Sequence, residues 1–267
     1  MKNISVLIPT YNRAGALAVT LTSLAYQEDK DFDIIISDQS TGDIYSENQS
    51  LQCAILLLHA RGHNVSVLKN LPSRGMAQQR QFLLEKSSSP YSLFLDDDLI
   101  LEPYVISNMR RVIEEERCGF VGSAVIGLSY ANDIRPHQQK IEFWEGNVQP
   151  ESILPKSKEW YRYEVHNAAN IYHIEQKFSI IPEAPKKYKI AWVGGCVMYD
   201  TSKLKDCGGF GFWESLPEKH CGEDVLAQLK VMRKYGGCGI LPSGVYHQEL
   251  ETTVPDRKIN APEYLEI

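Results

Sequence analysis

Short apolar runs alternate with segments of helical periodicity in the first part of the chain. Runs of about four to eight apolar or β-branched residues predict buried strands, and apolar residues three and four apart predict helices that cover a sheet. The predicted strands are Ile4–Pro9, Asp31–Asp38, Asn64–Asn70 and Tyr91–Leu95, and the predicted helices are Ala14–Gln27, Ser50–Gly62 and Gly75–Ser87. This alternation predicts an α/β fold with a mostly parallel sheet and helices on both faces.

The pattern is weaker in the rest of the chain. Residues 127–189 are rich in aromatic residues, prolines and charges and have no clean period, so we expect insertions and long loops over the site. After them the sequence predicts a strand over Ile190–Asp200, a helix over Gly222–Gly237 and a last strand over Cys238–Glu249. Another helix is expected to begin near Pro103, since proline suits the first helical position.

Composition and charge narrow the class of protein. The chain has 267 residues, 43% of them hydrophobic, which is enough to bury a large core. A net charge of -6 argues against a nucleic-acid partner, because phosphate recognition leaves a basic surplus. The six cysteines form no Cys-x-x-Cys pair, which favours reduced thiols.

The same hydrophobic pattern bears on localisation. No apolar run approaches the roughly 20 residues that span a bilayer, and Met1 leads directly into a strand pattern without a signal core. We therefore expect a cytoplasmic protein with no transmembrane segment. Peripheral association with the inner face of a membrane remains compatible with this expectation.

Three consecutive carboxylates, Asp96, Asp97 and Asp98, follow the strand Tyr91–Leu95. In an extended chain Asp96 and Asp98 would project to one side, roughly 6–7 Å apart, with Asp97 opposite. At an effective dielectric of about 20, two such charges repel by roughly 2–3 kcal/mol, so a positive charge is expected beside them. Oxygen ligands without cysteine suit Mg²⁺ or Mn²⁺, which also take phosphate oxygens. The triplet thus predicts a divalent metal held together with a nucleotide or diphosphate.

Structural explanations of the triplet are weaker. The helix expected near Pro103 starts too far downstream for Asp98 to cap it. An EF-hand loop would need an oxygen ligand at Ile100 and glycine at Leu101. A solvated acidic loop remains, but the apolar residues on both sides of the triplet disfavour full exposure.

Several motifs, in their order along the chain, resemble the inverting glycosyltransferases of family 2, which have the GT-A fold. Residues 4–13 are similar to that family's first strand and nucleotide loop, and residues 33–40 to its second strand with a base-reading aspartate. Residues 74–98 resemble the helix that leads to the family's DxD metal motif. Residues 208–236 resemble its Gly-Gly-Phe segment followed by a Glu-Asp motif. Each motif alone is weak, but the order is specific.

The resemblance implies a donor site for a nucleoside diphosphate sugar. Tyr11 would stack on the base, and Asp38 would accept from the base imide, which favours uridine or thymidine. The guanidinium groups of Arg74 and Arg80 would bind the diphosphate or form ion pairs with the aspartates, because two of their N–H groups can bind one phosphate or carboxylate. The full donor set is Pro9, Thr10, Tyr11, Arg13, Asp38, Arg74, Arg80, Asp96 and Asp97. The implied ligands of Mn²⁺ or Mg²⁺ are Asp98, Asp96 and His247.

The resemblance also implies the catalytic and acceptor residues. Asp224 would be the base that takes the acceptor proton, and Glu223 would position the acceptor or the base. Their place at a helix N-terminus should keep Asp224 ionised near neutral pH, although the dipole alone also explains acids there. Trp213 and Glu214 could bind the acceptor sugar by stacking and hydrogen bonding, although Trp213 could equally belong to the core.

The implied organisation is a single Rossmann-like GT-A domain over residues 1–267. Its nucleotide-sugar-binding half is 1–101, its variable insertion is 127–189, and its acceptor and catalytic half is 190–250. The expected function is metal-dependent, inverting transfer from a UDP- or dTDP-sugar to a hydroxyl of a glycan, glycolipid or glycoprotein, in surface polysaccharide or glycoconjugate synthesis.

Two other functions stay open at this point. A haloacid-dehalogenase-like phosphatase would use Asp96 as nucleophile and Asp98 as acid/base, since the strand before the triplet is similar to the start of that family's motif. A sugar-nucleotide-binding module without turnover is the non-enzymatic alternative.

Overall fold

The structure is a computed structural model that describes residues 2–265. Met1, Glu266 and Ile267, which belong to the predicted domain 1–267, lie outside the described residues. All strands and helices predicted before residue 96 are present. They are β1 (Ile4–Thr10), α1 (Ala14–Ala25), β2 (Phe32–Asp38), α2 (Gln49–Ala60), β3 (Val65–Lys69), α3 (Met76–Lys86) and β4 (Tyr91–Leu95).

The remaining part of the chain adds shorter elements. They are β5 (Leu99–Leu101), α4 (Val105–Glu116), β6 (Phe120–Gly122), α5 (Asn170–Phe178), β7 (Lys186–Tyr188), β8 (Cys196–Asp200), α6 (Thr201–Asp206), α7 (Glu223–Tyr235), β9 (Gly237–Leu241), β10 (Val245–His247) and α8 (Ala261–Tyr264). Four 3₁₀ helices join them, at Leu128–Tyr130, Pro136–Gln138, Glu159–His166 and Gly211–Ser215. The helix expected near Pro103 is α4.

The central sheet has eight strands in the order β3-β2-β1-β4-β8-β6-β9-β7. The strands β1 to β4 are parallel to one another, whereas β8 runs antiparallel to β4 and β6, and β7 antiparallel to β9. The predicted mostly parallel α/β sheet is therefore confirmed. Because β8 is reversed, its first residue, Cys196, pairs with Leu95 at the end of β4. The loop before β8 consequently lies at the same sheet edge as the acidic triplet.

Helices cover both faces of this sheet. All seven residues of β1 are buried, and their side chains alternate between two cores. Val6 and Ile8 pack on the side of α1 and α2, whereas Leu7 packs on the side of α3 with Leu83 and Leu84. A strand buried on both faces has no polar alternation, which is why β1 reads as a continuous apolar run.

Two predicted strands are wrong in extent. The predicted strand Ile190–Asp200 becomes a strand only at Cys196, because Gly195 has φ +80°, outside extended geometry. The predicted strand Cys238–Glu249 is two strands, β9 in the large sheet and β10 in a two-stranded ribbon with β5. Pro242 lacks a ladder N–H, and Gly244 has φ +65°, so the chain leaves the large sheet between them.

The region 127–189 is more ordered than the sequence predicts. It contains α5, three of the 3₁₀ helices and the edge strand β7, which pairs with β9. These elements are short, so none repeats a hydrophobic period long enough to be recognised in the sequence. Between residues 2 and 265, no helix is both long enough and apolar enough to cross a bilayer.

Candidate active site

A cleft of about 690 Å³ opens at the edge of the sheet where β1 and β4 end. Parallel α/β sheets bind ligands at this edge, in the crevice beyond the strand ends. Its walls come from the β1–α1 loop, the acidic triplet, the loop before β8, the start of α7 and the segment after β10. Predicted site residues on these walls are Pro9, Thr10, Tyr11, Arg13, Arg80, Asp96, Asp97, Asp98, Glu223, Asp224 and His247.

The acidic triplet lies in a turn, not in a strand. Since β4 ends at Leu95, the prediction that Asp96 and Asp98 face one side of an extended chain is wrong. Arg13 instead joins the last two aspartates, because its Nη1 lies 3.4 Å from Asp97 Oδ1 and 2.6 Å from Asp98 Oδ2. Thr10 donates its hydroxyl to Asp97 at 2.6 Å. The β1–α1 loop thus supplies the positive charge and the donor that the triplet requires.

The first aspartate of the triplet has a different partner. Arg80, on α3, is buried and donates from Nη2 to Asp96 at 3.2 Å and from Nε to Glu223 at 3.0 Å. A single guanidinium therefore connects the acidic turn with the start of α7. Removing one member of such a buried ionic group leaves the others unpaired, which is strongly destabilising.

The Glu-Asp pair begins α7 directly after Gly222, whose φ is +75°. This backbone conformation favours glycine, and a Cβ atom at Gly222 would in addition lie 2.3 Å from Asn260 Oδ1, so that side chain would have to move. Burial, and secondly the charge of Glu223, raise the pKa of Asp224 to about 7. A carboxyl with this pKa is about half ionised at pH 7, so the prediction that the helix N-terminus keeps Asp224 ionised near neutral pH is met only in part. A carboxylate with a pKa near the working pH is well suited to take a proton.

The chemistry of the predicted metal ligands can be tested on the geometry. Asp98 and Asp96 offer carboxylate oxygens in the open cleft, the ligand type that Mg²⁺ and Mn²⁺ take together with phosphate oxygens. Within residues 2–265 no three His, Cys, Asp or Glu side chains form a ready metal group. The aspartates therefore fit a cation that arrives with a diphosphate, provided that Asp98 exchanges Arg13 for it.

His247 fits this role less well. Its Nε2 lies 3.5 Å from Asp98 Oδ2, and its Nδ1 accepts the backbone N–H of Glu249 at 2.7 Å. With Nδ1 as acceptor, the neutral ring carries its proton on Nε2, which then faces Asp98 as a donor. Ligation of a metal through Nε2 would require the other tautomer and the loss of the bond from Glu249.

Four predicted site residues do not line the cleft. Asp38 is buried, and its oxygens accept from Lys69 Nζ at 2.5 Å and from the N–H of Ser40 at 2.8 Å. Arg74 is exposed outside the cleft walls. Trp213 and Glu214 lie on the 3₁₀ helix Gly211–Ser215, again outside these walls.

The structure adds residues that the sequence did not indicate. Gln79 ties α3 to the strand ends, donating to the carbonyls of Ser37 at 2.7 Å and Thr10 at 3.3 Å. His220 accepts the N–H of Ala77 at 3.1 Å and so caps α3 from the loop before α7. Both residues are buried polar groups without a motif, so only their spatial neighbours reveal them. Further unpredicted residues on the cleft walls are Met76, Trp160, Trp192, Arg257 and Asn260.

The segment after β10 also belongs to the cleft, although the predicted catalytic half ended at residue 250. Gln248 donates its N–H to the Asp98 carbonyl at 2.9 Å, and Arg13 donates to the Glu251 carbonyl. At the far end, Ala261 donates its N–H to the Cys221 carbonyl at 2.9 Å. The segment thus runs along the cleft from the acidic turn to the start of α7.

A Rossmann-like sheet with an acidic turn at its carboxyl edge, facing a helix that begins with Glu-Asp, has the architecture of a GT-A glycosyltransferase. Comparison of the sequence with protein families agrees: the model described as "Glycosyl transferase family 2" matches residues 5–176. The chain belongs to this family.

Two curated proteins are similar in sequence. An uncharacterized glycosyltransferase of Haemophilus influenzae is 29% identical over 112 residues, which make up 42% of this chain and 35% of that protein. Validoxylamine A glucosyltransferase of Streptomyces hygroscopicus subsp. jinggangensis is 28% identical over 144 residues, 51% of this chain and 31% of that protein. The chain therefore spans about a third of the length of the curated relatives it matches.

Solved structures support the fold. Residues 1–349 of S. aureus TarS align with 99% of this chain and 62% of that chain, with a TM-score of 0.56 and 19% identity. TarS 1-349 was also solved with UDP-GlcNAc. The mannosyltransferase PcManGT from Pyrobaculum calidifontis, solved with GDP-Man and Mn²⁺, aligns with 95% of this chain and 59% of that chain, with a TM-score of 0.60 and 12% identity. The predicted GT-A fold is confirmed.

Proposed function

We propose that this chain transfers a sugar from a nucleoside diphosphate sugar to an acceptor hydroxyl, with inversion at the anomeric carbon. The observation that carries the proposal is the double ion pair of Arg80, which holds Asp96 and Glu223 on facing walls of one cleft. A donor placed over the acidic turn would then lie beside Asp224, the next residue of α7. Family membership supports the same reaction class.

The donor half of the proposal is residues 1–101. Tyr11 is 46% exposed at the mouth of the cleft, so its ring is free to stack on a base. Pro9, Thr10 and Arg13 line the same wall. A UDP- or dTDP-sugar remains the favoured donor, and the UDP-GlcNAc complex of TarS is a precedent within the fold. Both Asp38 carboxylate oxygens are engaged, one by the Ser40 N–H and one by Lys69 Nζ. One of these two hydrogen bonds has to break before Asp38 can accept a hydrogen bond from the base.

The proposed cofactor is Mn²⁺ or Mg²⁺, held by Asp98 and Asp96 with oxygens of the diphosphate. When bound, the cation supplies positive charge for the leaving diphosphate. The Mn²⁺ in the PcManGT complex is a precedent for such a cation in this fold. Arg13 is ion-paired with Asp98, so it would have to release that carboxylate for a cation to be held there.

Asp224 is the proposed base. It accepts the proton of the acceptor hydroxyl as that oxygen attacks the anomeric carbon from the side opposite the diphosphate, which inverts the configuration. Glu223, fixed by Arg80, positions the turn that carries Asp224. With a pKa of about 7, Asp224 is sufficiently ionised at neutral pH and basic enough to act.

The acceptor side of the proposal comprises residues 190–250 and the insertion 127–189, extended by the segment that follows β10. The acceptor class is a hydroxyl of a glycan, glycolipid or glycoprotein, in surface polysaccharide or glycoconjugate synthesis. The proposed place of action is the cytoplasm, at the inner face of a membrane.

The phosphatase alternative explains the site less well. It would use Asp96 as nucleophile, yet Asp96 is ion-paired with Arg80. It also leaves Thr10 and Arg13, which contact the triplet directly, without a function. A binding module without turnover would need no base. It therefore differs from a transferase in that it would release no nucleoside diphosphate and would not require the Asp224 carboxylate.

One experiment separates these functions. The protein is screened for thermal stabilisation by UDP-, dTDP- and GDP-sugars with and without Mn²⁺, and release of nucleoside diphosphate is then measured with each stabilising donor. Metal-dependent stabilisation followed by release and an inverted product in NMR spectra supports the proposal. Phosphate release from a simple monoester would establish the phosphatase instead, and stabilisation without any release would establish the binding module.

A further inference from the structure

Beyond the acidic turn, on the side away from β1, the cleft is walled by aromatic side chains. The reversed strand β8 starts at the sheet edge where β4 ends, and Asp96 donates its N–H to the Gly195 carbonyl at 2.9 Å. The loop that precedes β8 carries Trp192. In sheet order, β1 with Tyr11, then β4 with the aspartates, then the Trp192 loop follow one another along the cleft. Trp192 is therefore separated from the donor wall by the acidic turn.

The insertion completes this wall. The 3₁₀ helix Glu159–His166 brings Tyr163 onto Trp192, with ring centroids 5.5 Å apart and planes inclined by 16°. Trp160 packs edge-on against Tyr163, with centroids 6.3 Å apart. Trp160 and Trp192 both line the cleft. We refer to Trp160, Tyr163 and Trp192 as the aromatic wall.

The aromatic wall continues directly into the proposed base. Gly194, two residues after Trp192, lines the cleft, and a Cβ atom there would lie 3.8 Å from Asp224 Oδ2. A glycine at this place leaves the carboxylate open toward the wall. An acceptor whose hydroxyl reaches Asp224 would therefore have its body over the aromatic wall.

The chemistry of the wall selects a class of acceptor. Aromatic faces carry negative quadrupole charge and attract the slightly positive C–H groups of a flat ring face. A pyranose presents such a face of axial C–H groups, while its hydroxyls point outward to polar partners such as Asp224 and Asn260, which also lines the cleft. An open-chain polyol has no such face. An alkyl chain would leave these polar groups unpaired.

We infer that the aromatic wall is the acceptor subsite and that the acceptor is a pyranoside whose ring stacks on Trp160 and Trp192. This inference rests on the proposed function, since it assigns the second substrate of the same cleft. It replaces Trp213 and Glu214, which the sequence suggested for this role and which lie outside the cleft walls.

The test compares Trp160→Ala and Trp160→Phe with a matched control, Tyr161→Ala. Tyr161 is the next residue of the same 3₁₀ helix, is 52% exposed and does not line the cleft. Initial rates are measured with methyl pyranosides of glucose, galactose, N-acetylglucosamine and N-acetylgalactosamine, and with ribitol and glycerol as open-chain probes. Hydrolysis of the donor without acceptor is measured in every variant.

We expect Trp160→Ala to raise the KM for the preferred pyranoside by about tenfold, the scale of one aromatic contact. Trp160→Phe should restore most of that loss, since the ring face is retained. Tyr161→Ala should leave the acceptor KM within about twofold of wild type. Donor KM and donor hydrolysis should be unchanged in Tyr161→Ala, and in the two Trp160 variants the acceptor KM should change more than the donor KM, because the donor lies across the acidic turn. An unchanged acceptor KM in Trp160→Ala, or better use of ribitol than of any pyranoside, would overturn the inference.

A second measurement needs no turnover. Saturation-transfer NMR with the same methyl pyranosides should show contacts at the ring C–H groups in wild type that are lost in Trp160→Ala and kept in Tyr161→Ala. Equal signals in all proteins would contradict the aromatic wall as a sugar subsite. If wild type neither binds nor hydrolyses any sugar nucleotide, the proposed function fails, whereas the NMR result still decides whether the wall binds a pyranoside.

Discussion

The two arginines of the cleft use the same chemical group for different purposes. Arg13 comes from a loop and binds Asp97 and Asp98, whereas Arg80 is buried on α3 and binds Asp96 and Glu223. On the Arg13 side, the proposed donor and cation can replace the guanidinium at Asp98. On the Arg80 side, the guanidinium is enclosed, and among residues 2–265 Asp224 forms no ion pair. In the proposed mechanism the ion pairs of Arg13 break when donor and cation bind, whereas those of Arg80 persist and fix the walls around Asp224.

The largest effect is expected at the base. Asp224→Asn removes the proton acceptor but keeps the shape of the site, so transfer should fall by about 10²–10⁴-fold, the typical worth of general base catalysis. Stabilisation by donor with Mn²⁺ should stay close to that of wild type. Glu223→Gln is the informative comparison, because it alters the neighbour without removing the base. Transfer by Asp224→Asn at the wild-type rate would refute the assignment.

The contrast between the arginines is tested next by stability. Arg80→Ala leaves the buried Glu223 carboxylate unpaired and should lower the free energy of unfolding by about 3–5 kcal/mol. Arg13→Ala should also cost about 3–5 kcal/mol, because the side chains of Asp97 and Asp98 are only 8% and 6% exposed and would lose their cation. Urea denaturation of both variants, with and without donor and Mn²⁺, measures the contrast, since a cation that replaces Arg13 at Asp98 should restore stability more in Arg13→Ala than in Arg80→Ala. Equal restoration would mean that the two ion pairs do not differ in the way described.

The third prediction concerns the proposed replacement of Arg13 by a cation at Asp98 and its effect on donor binding. Asp98→Ala removes a proposed cation ligand, so the donor should bind about tenfold more weakly or worse and its binding should no longer depend on Mn²⁺. Calorimetric titration of the preferred sugar nucleotide, with and without the cation, provides the measurement. Undiminished dependence on Mn²⁺ would assign the cation to other residues.

The smallest effect is a shift of the pH profile. Because burial and Glu223 raise the pKa of Asp224 to about 7, the base is protonated below that pH and ionised above it. The transfer rate should therefore rise with pH and level off above 7, and fall about tenfold for each pH unit below it. Glu223→Gln removes one cause of the raised pKa, so the rise should move to lower pH. A profile that is flat from pH 5 to 8 would exclude Asp224 as the titrating base.

The sequence predicts features that depend on neighbouring residues in the chain, and it does not predict contacts that depend on packing between distant segments. The strands β1 to β4 and the helices between them are local patterns, in which each apolar run or helical period contains its own evidence. The place of Asp98 on the cleft wall could be anticipated, because an acidic triplet between apolar residues at the end of a strand predicts a site. The resemblance implies Arg80 as a group that could brace the aspartates, whereas it implies Arg13 only for the nucleotide pocket. The pairing of Arg13 with Asp98 and of Arg80 with Asp96 depends on packing.

The acceptor side could not be predicted in this way. The position of Trp213 before Glu223 and Asp224 in the chain suggests it for the acceptor, whereas Trp160 lies in a region without periodicity. The reversal of β8 and the 3₁₀ helix of the insertion bring Trp160 to the cleft, and neither is encoded by a local repeat. The ion pair of Asp38 could not be predicted either, because its partner Lys69 comes from the neighbouring strand β3.

The closeness of Asp96 to Asp224 has a thermodynamic consequence for the proposed reaction with two substrates. Burial first, and among the neighbouring charges also that of Asp96, raise the pKa of Asp224, so a cation bound at Asp96 would lower the proton affinity of Asp224. Such linkage is reciprocal, so occupancy of either half-site would alter the binding free energy at the other. Cooperation between the two proposed substrates would then follow from charge alone and need no movement of the fold.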